Sequence, residues 1–155
     1  MNKTSLPAPT ASLATSILGF WRLKSREDVD DQGRLHIDPI LGPNPLGMLC
    51  FAPGHFAAQF MRRDRSLAES SQRQVKSSNN SSAVDGYDAY FGIYLLDDAK
   101  GTLTVHLEGS ISPSNIGSTF IRDIRVHNDE LVIQLRTTTE ADVSITRTLT
   151  FSRLG

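Results

Sequence analysis

The chain of 155 residues has one cysteine, one tryptophan, no apolar run near membrane-spanning length and no excess of either charge. Each shortage excludes something. Cys50 alone cannot close an internal disulfide, which favours a reducing compartment. A net charge of -1 leaves no electrostatic footprint for nucleic acid. Without about 18 consecutive apolar residues, no helix crosses a membrane. Residues 1–18 hold Lys3 as their only positive charge, and Ser and Thr interrupt their apolar residues, unlike a secretory signal. The expectation is a cytoplasmic protein whose partner is neither nucleic acid nor membrane.

Catalytic motifs are equally scarce. His36, His55, His106 and His127 are scattered, with no helical His-x-x-x-His pair, so no metal is expected. No glycine-rich phosphate loop and no Gly-x-Ser-x-Gly elbow is present, and no cofactor is expected. His106-Leu107-Glu108 matches half of a zinc-deaminase signature, but the Pro-Cys-x-x-Cys half is missing.

What the chain does have is a succession of short alternating segments. Residues 1–10 read as a disordered lead, and residues 11–155 as one domain. Residues 11–18 can make two helical turns with Ser12 as cap. Residues 21–25 alternate as a first strand, and the cluster at 30–33 is a turn. Apolar runs at 48–51 and 55–61, joined by Ala52-Pro53-Gly54, read as a hairpin. Residues 62–86 are a polar insert without period, read as a lid, with residues 64–84 expected to be the most mobile internal segment of the chain and to lie near the barrel mouth. A partly helical cover is the alternative. Strands follow at 90–96, 102–110, 119–126, 131–137 and 143–151. About eight strands joined mostly by tight turns suit an all-β antiparallel up-and-down barrel, which closes both edges. A β-sandwich is the rival, since periodicity alone does not separate the two.

Four stretches carry a family likeness: Leu18-Gly19-Phe20-Trp21-Arg22-Leu23; residues 47–51 with 54–62; Tyr87-Asp88-Ala89-Tyr90-Phe91-Gly92-Ile93-Tyr94; and residues 105–110 through Pro113, Gly117 and Arg122. In this order they resemble the lipocalin-like domain family, small bacterial and fungal chains of about 150 residues. The resemblance implies a calycin-type barrel around an apolar cavity, and an association with small-molecule (secondary-metabolite) biosynthesis. It supplies no fixed catalytic motif. It implies that an arginine of the last strand, Arg147 or Arg153, packs across Trp21. The Ser/Asn-rich insert departs from the family pattern.

Strand parity selects the candidate site. Arg147 falls among Val143, Ile145, Leu149 and Phe151, and Arg122 among Phe120, Ile124 and Val126. A guanidinium on an apolar face needs a partner. Glu108, on the preceding strand, is the nearest candidate in sequence. His106 and Glu108 share a face, but Leu103, Val105 and Leu107 on the other face also favour burial, so the pattern does not say which face points inward. If the polar face is inward, His106, Glu108 and Arg122 form a catalytic cluster, with Tyr90 as a further polar group. Trp21, Met48, Phe56, Gln59, Tyr94, Phe120 and Arg147 are the candidate ligand-binding residues. The expected activity is a cofactor-free isomerase or cyclase acting on a small hydrophobic biosynthetic intermediate. The alternative is a non-catalytic binder or carrier of such a molecule. The expected assembly is a monomer or homodimer.

Overall fold

The computed structural model describes residues 12–65 and 84–155. The expectations for the lead at 1–10 and for most of the lid at 64–84 lie outside the described residues.

One helical turn, α1 (Leu13–Ser16), precedes nine strands: β1 (Gly19–Asp30), β2 (Leu35–His36), β3 (Leu46–Ala52), β4 (His55–Met61), β5 (Tyr87–Asp97), β6 (Thr102–Ser110), β7 (Thr119–His127), β8 (Glu130–Thr138) and β9 (Ser144–Leu154). β1 and β3 to β9 pair in sequence order, all antiparallel, and β9 returns to β1 over ten residue pairs from Phe20↔Leu154 to Asp30↔Ile145. This is a closed eight-stranded barrel, with β2 a short addition to the upper half of β1. Closure excludes the sandwich, because no main strand is left with an open edge.

The expected helix is shorter than two turns. Ser12 caps it as expected, its hydroxyl accepting from the Thr15 N–H, and Ile17 ends it. Gly19, at φ +116°, turns the chain directly into β1. Trp21 is fully buried just above, its indole N–H donating to the Ile17 carbonyl at 2.8 Å. The Arg153 guanidinium lies 4.2 Å from the indole centroid and donates to the carbonyls of Ser16 and Leu18 at 2.7 and 2.9 Å. One side chain therefore covers the indole and satisfies two carbonyls that the short helix leaves open. Of the two arginines expected in this role, Arg153 performs it and Arg147 does not.

β1 runs five residues past the expected strand at 21–25. Between Leu23 and Ser25 its register against β9 shifts, which reverses the parity of the rest of the strand. Trp21 and Leu23 face inward below the irregularity; Asp28 and Asp30 are buried above it. A run as charged as Lys24-Ser25-Arg26-Glu27-Asp28 has no apolar alternation to mark it as strand. A second irregularity lies where β5 meets β6: Phe91 pairs with Gly109 and Gly92 with Leu107. A Cβ on Gly92 would stand 1.9 Å from the His106 carbonyl oxygen, so this inward position of β5 admits only glycine.

The core is the inside of the barrel. Leu49 and Phe51 of β3, Phe56, Ala58 and Phe60 of β4, Leu103, Val105 and Leu107 of β6, and Leu131 and Ile133 of β8 all point into it. Rings pack edge-on or tilted: Phe51–Tyr94 at 5.1 Å, Phe56–Tyr90 at 6.0 Å and Phe60–Phe151 at 6.5 Å between centroids.

Candidate ligand cavity

The interior is not filled completely. A cavity of about 70 Å³ remains among the inward side chains. Leu49, Phe51, Phe56, Phe60, Val105, Ile133 and Phe151 make its apolar wall. Leu41, in the loop between β2 and β3, reaches in and is 2 % exposed. Asp38 holds that loop by accepting the Ile40 and Leu41 backbone N–H groups at 2.8 and 3.0 Å. Arg62 donates to the carbonyls of Pro39 and Ile40 from the other side.

Five polar side chains interrupt the apolar wall: Arg26, Asp88, Tyr90, Arg122 and Arg147. Arg147 and Asp28 form a forked pair, Nε to Oδ1 at 2.9 Å and Nη2 to Oδ2 at 3.1 Å. Arg26 donates to the same carboxylate at 3.3 and 3.0 Å and to Asp38 at 3.2 Å. Burial raises the Asp28 carboxyl, but the hydrogen bonds from Arg147 and Arg26 outweigh it and hold the group below its ordinary range. For Arg26, burial is opposed and exceeded by Asp28 and Asp38, so its pKa rises. Burial and the charge of Arg26 lower that of Arg147.

Arg122 points inward, as parity required. Its guanidinium lies 4.8 Å from the Phe120 ring centroid and donates to the Ile121 carbonyl at 3.3 Å. Burial lowers its pKa and the neighbouring Tyr90 oxygen opposes this. Tyr90 keeps its proton, because burial and the nearby Asp88 both raise its pKa.

Asp88 stands apart from this network. It is 2 % exposed, and among the described residues its Oδ1 has no hydrogen-bond partner. Burial pushes its carboxyl up to about 7, against the Ala89 N–H and the charges of Arg26 and Arg147. A buried acid that exchanges its proton near neutrality, on a cavity wall, is a group available to a ligand.

The other expected site residues divide into three sets. Phe56, Tyr90, Arg122 and Arg147 line the cavity. Trp21, Tyr94 and Phe120 pack around it: Trp21 closes the end at α1, Tyr94 donates to the Ala52 carbonyl at 2.9 Å, and Phe120 supports Arg122. Met48 and Gln59 instead lie outside, with Gln59 accepting from the Tyr87 hydroxyl. Their strands turn Leu49, Phe51, Phe56 and Phe60 inward, and alternation sends Met48 and Gln59 the other way.

The cluster of His106, Glu108 and Arg122 does not form. Leu103, Val105 and Leu107 are 2, 6 and 0 % exposed, which settles the parity of β6. His106 and Glu108 are therefore on the outer face, with His106 Nδ1 3.0 Å from the Thr119 hydroxyl. Burying three aliphatic side chains outweighs any gain from burying an imidazole and a carboxylate. Arg26, Asp28, Asp38 and Asp88 were not anticipated. Asp88 was readable, since it shares parity with Tyr90 and Tyr94. Arg26 and Asp28 were hidden by the register shift in β1.

No curated protein matches the chain. A family model described as lipocalin-like domain matches residues 18–154, nearly the whole barrel from the residue before β1 to the end of β9. The closed eight-stranded barrel, the tryptophan closing one end beneath an arginine and the interior cavity agree with that match, and the chain belongs to the lipocalin-like domain family.

Proposed function

We propose that the protein binds a small, largely apolar molecule inside the barrel, with the molecule's polar group turned toward Asp88, Tyr90 and Arg122. The observation that carries this is the cavity itself: an apolar enclosure with a few convergent polar groups, on a fold that generally binds small ligands. Binding without chemistry is the first reading, because the expected acid–base pair of His106 and Glu108 is outside. A cofactor-free isomerase or cyclase is the second. One observation favours it: Asp88 and Tyr90 place a titratable carboxyl and a phenol together on the inner wall.

Titration with N-phenyl-1-naphthylamine, an uncharged dye that brightens in apolar surroundings, tests the shared step. Saturable binding of one dye per chain is expected, with a Kd on the order of micromolar. Val105→Trp, which adds an indole to the cavity wall, should weaken binding at least tenfold. Leu95→Ser, on the outer face where Leu95 is 75 % exposed, should leave it unchanged. Binding that survives Val105→Trp and is lost in Leu95→Ser would move the site to the exterior and end the proposal.

A further inference from the structure

We propose that Leu41 is a plug: its side chain occupies part of the ligand's place, and it withdraws with its turn when an apolar molecule larger than the residual cavity enters. The inference rests on the cavity being the binding site, and adds the residue that limits the size of what the cavity accepts.

Size sets the problem. The residual cavity is about 70 Å³. A water molecule takes roughly 30 Å³ of the liquid, and an apolar protein cavity that holds benzene measures roughly 150 Å³. The closed barrel therefore has room for about two waters and none for an aromatic ring. A molecule with a ring or a long alkyl chain enters only if a side chain of the wall yields its place.

Leu41 is the wall residue placed to do so. Among the described residues, every other side chain lining the cavity belongs to a main strand of the barrel. Ladder hydrogen bonds fix those strands, so their inward side chains stay inside the barrel whatever rotamer they take. Leu41 instead comes from residues 37–45, between β2 and β3. These residues add no pair to the barrel ladders: β3 begins at Leu46 and meets β1 only from Met48. Residues 38–42 form one folded unit about Asp38. Its carboxylate accepts the Ile40 and Leu41 N–H groups, and its backbone carbonyl accepts the Gly42 N–H at 2.8 Å. Side chains tie this unit to the barrel: Arg26 donates to the Asp38 carboxylate, Arg62 to the Pro39 and Ile40 carbonyls, and Arg63 to the Asn44 carbonyl at 3.0 Å. Burial adds to these ties, since Ile40 and Leu41 are covered while Pro39, Pro43 and Asn44 are exposed. The unit lifts whole and keeps its internal hydrogen bonds. What it loses is the arginine ties and the burial of its apolar side chains. The entering molecule covers the same apolar wall, and its own burial offsets that loss. Leu41 thus competes with the ligand. Truncating Leu41 lowers the cost of opening, whereas truncating a leucine on a strand leaves that cost in place.

The probe is N-phenyl-1-naphthylamine, whose rings exceed the residual cavity. Relaxation of methyl groups by a soluble gadolinium chelate reads their exposure in the unaltered protein. Without dye the Leu41 methyls should be as shielded as those of Leu103. At saturation the Leu41 methyls should relax faster, with Leu103 unchanged. Leu41→Ala should bind the dye at least about tenfold more tightly, because a leucine no longer loses its burial on opening. Leu103→Ala is the same truncation on β6 at the same 2 % exposure, and should change affinity far less. Leu41 methyls that stay shielded at saturation would overturn the proposal. So would a Leu41→Ala protein that binds no more tightly than the unaltered one, or an equal gain in Leu103→Ala. The relaxation measurement needs no variant, so it decides the matter even where a truncated chain fails to fold. Dye binding that Val105→Trp blocks while Leu41 stays shielded ends the plug alone. Dye binding that Val105→Trp spares and Leu95→Ser abolishes ends the cavity reading as well.

Discussion

Asp28→Asn is expected to destabilise the protein by about 3–5 kcal/mol, the cost of removing one partner from a buried ion pair. The side chains of Arg26, Asp28 and Arg147 are 8, 5 and 9 % exposed, so neither arginine can turn to water when the carboxylate is lost. Two guanidiniums would share one amide oxygen, and their mutual repulsion would lack the charge between them. Urea unfolding followed by the fluorescence of Trp21, the chain's one tryptophan, measures this directly. Asp28→Asn combined with Arg147→Met should lose less than Asp28→Asn alone, because the second change removes one stranded cation. The pH dependence has a definite sign. Asp28 is held below its ordinary range in the folded protein, so its contribution is present above the unfolded pKa of about 3.8. It is lost as pH falls through the folded value. A loss under about 1 kcal/mol at pH 7 would show that the network is solvated, as exposed ion pairs are.

The second large effect has the opposite sign. Asp88→Asn is expected to raise stability at pH 8 by on the order of 4 kcal/mol, and to change it little at pH 4. The folded chain holds the Asp88 proton up to about pH 7, whereas the unfolded chain releases it near 3.8. The folded state binds more protons between these values, so stability falls as pH rises through that window and levels off above it. About three pH units at 1.36 kcal/mol each give the magnitude. Asparagine has no such proton to lose. Urea midpoints of both proteins at pH 4, 6 and 8 test this. A difference that does not grow with pH would mean that Asp88 titrates as an ordinary surface carboxyl.

The barrel was largely legible because its signals are local. Ala52-Pro53-Gly54 marked the β3–β4 hairpin, and Phe120, Ile124 and Val126 showed that Arg122 points inward. Trp21 and the last-strand arginines marked the closed end. Legibility failed where a face is chosen by competition. In β6 the apolar row and the polar row were equally regular, and only the burial of Leu103, Val105 and Leu107 decided between them. It failed again where the chain breaks its own alternation. The shift after Leu23 turns Arg26 and Asp28 inward, on a segment whose charge suggests a solvent-exposed loop. Asp38 acts from a proline-rich loop with no period at all. Asp88 differs from these: its parity was plain, but a single aspartate beside tyrosines gives no sign that its carboxyl is buried with an unsatisfied oxygen.

The central claim is that the inside of the barrel binds the ligand. The outer face is the competing location, since Phe91, Ile93, Leu95 and Ile121 leave it partly apolar, at 55, 42, 75 and 66 % exposure. Intermolecular nuclear Overhauser effects from bound N-phenyl-1-naphthylamine to methyl groups separate the two most directly. Effects to Leu49, Leu103, Val105 and Leu149 are expected. Effects confined to Ile93, Leu95 and Ile121 would contradict the account.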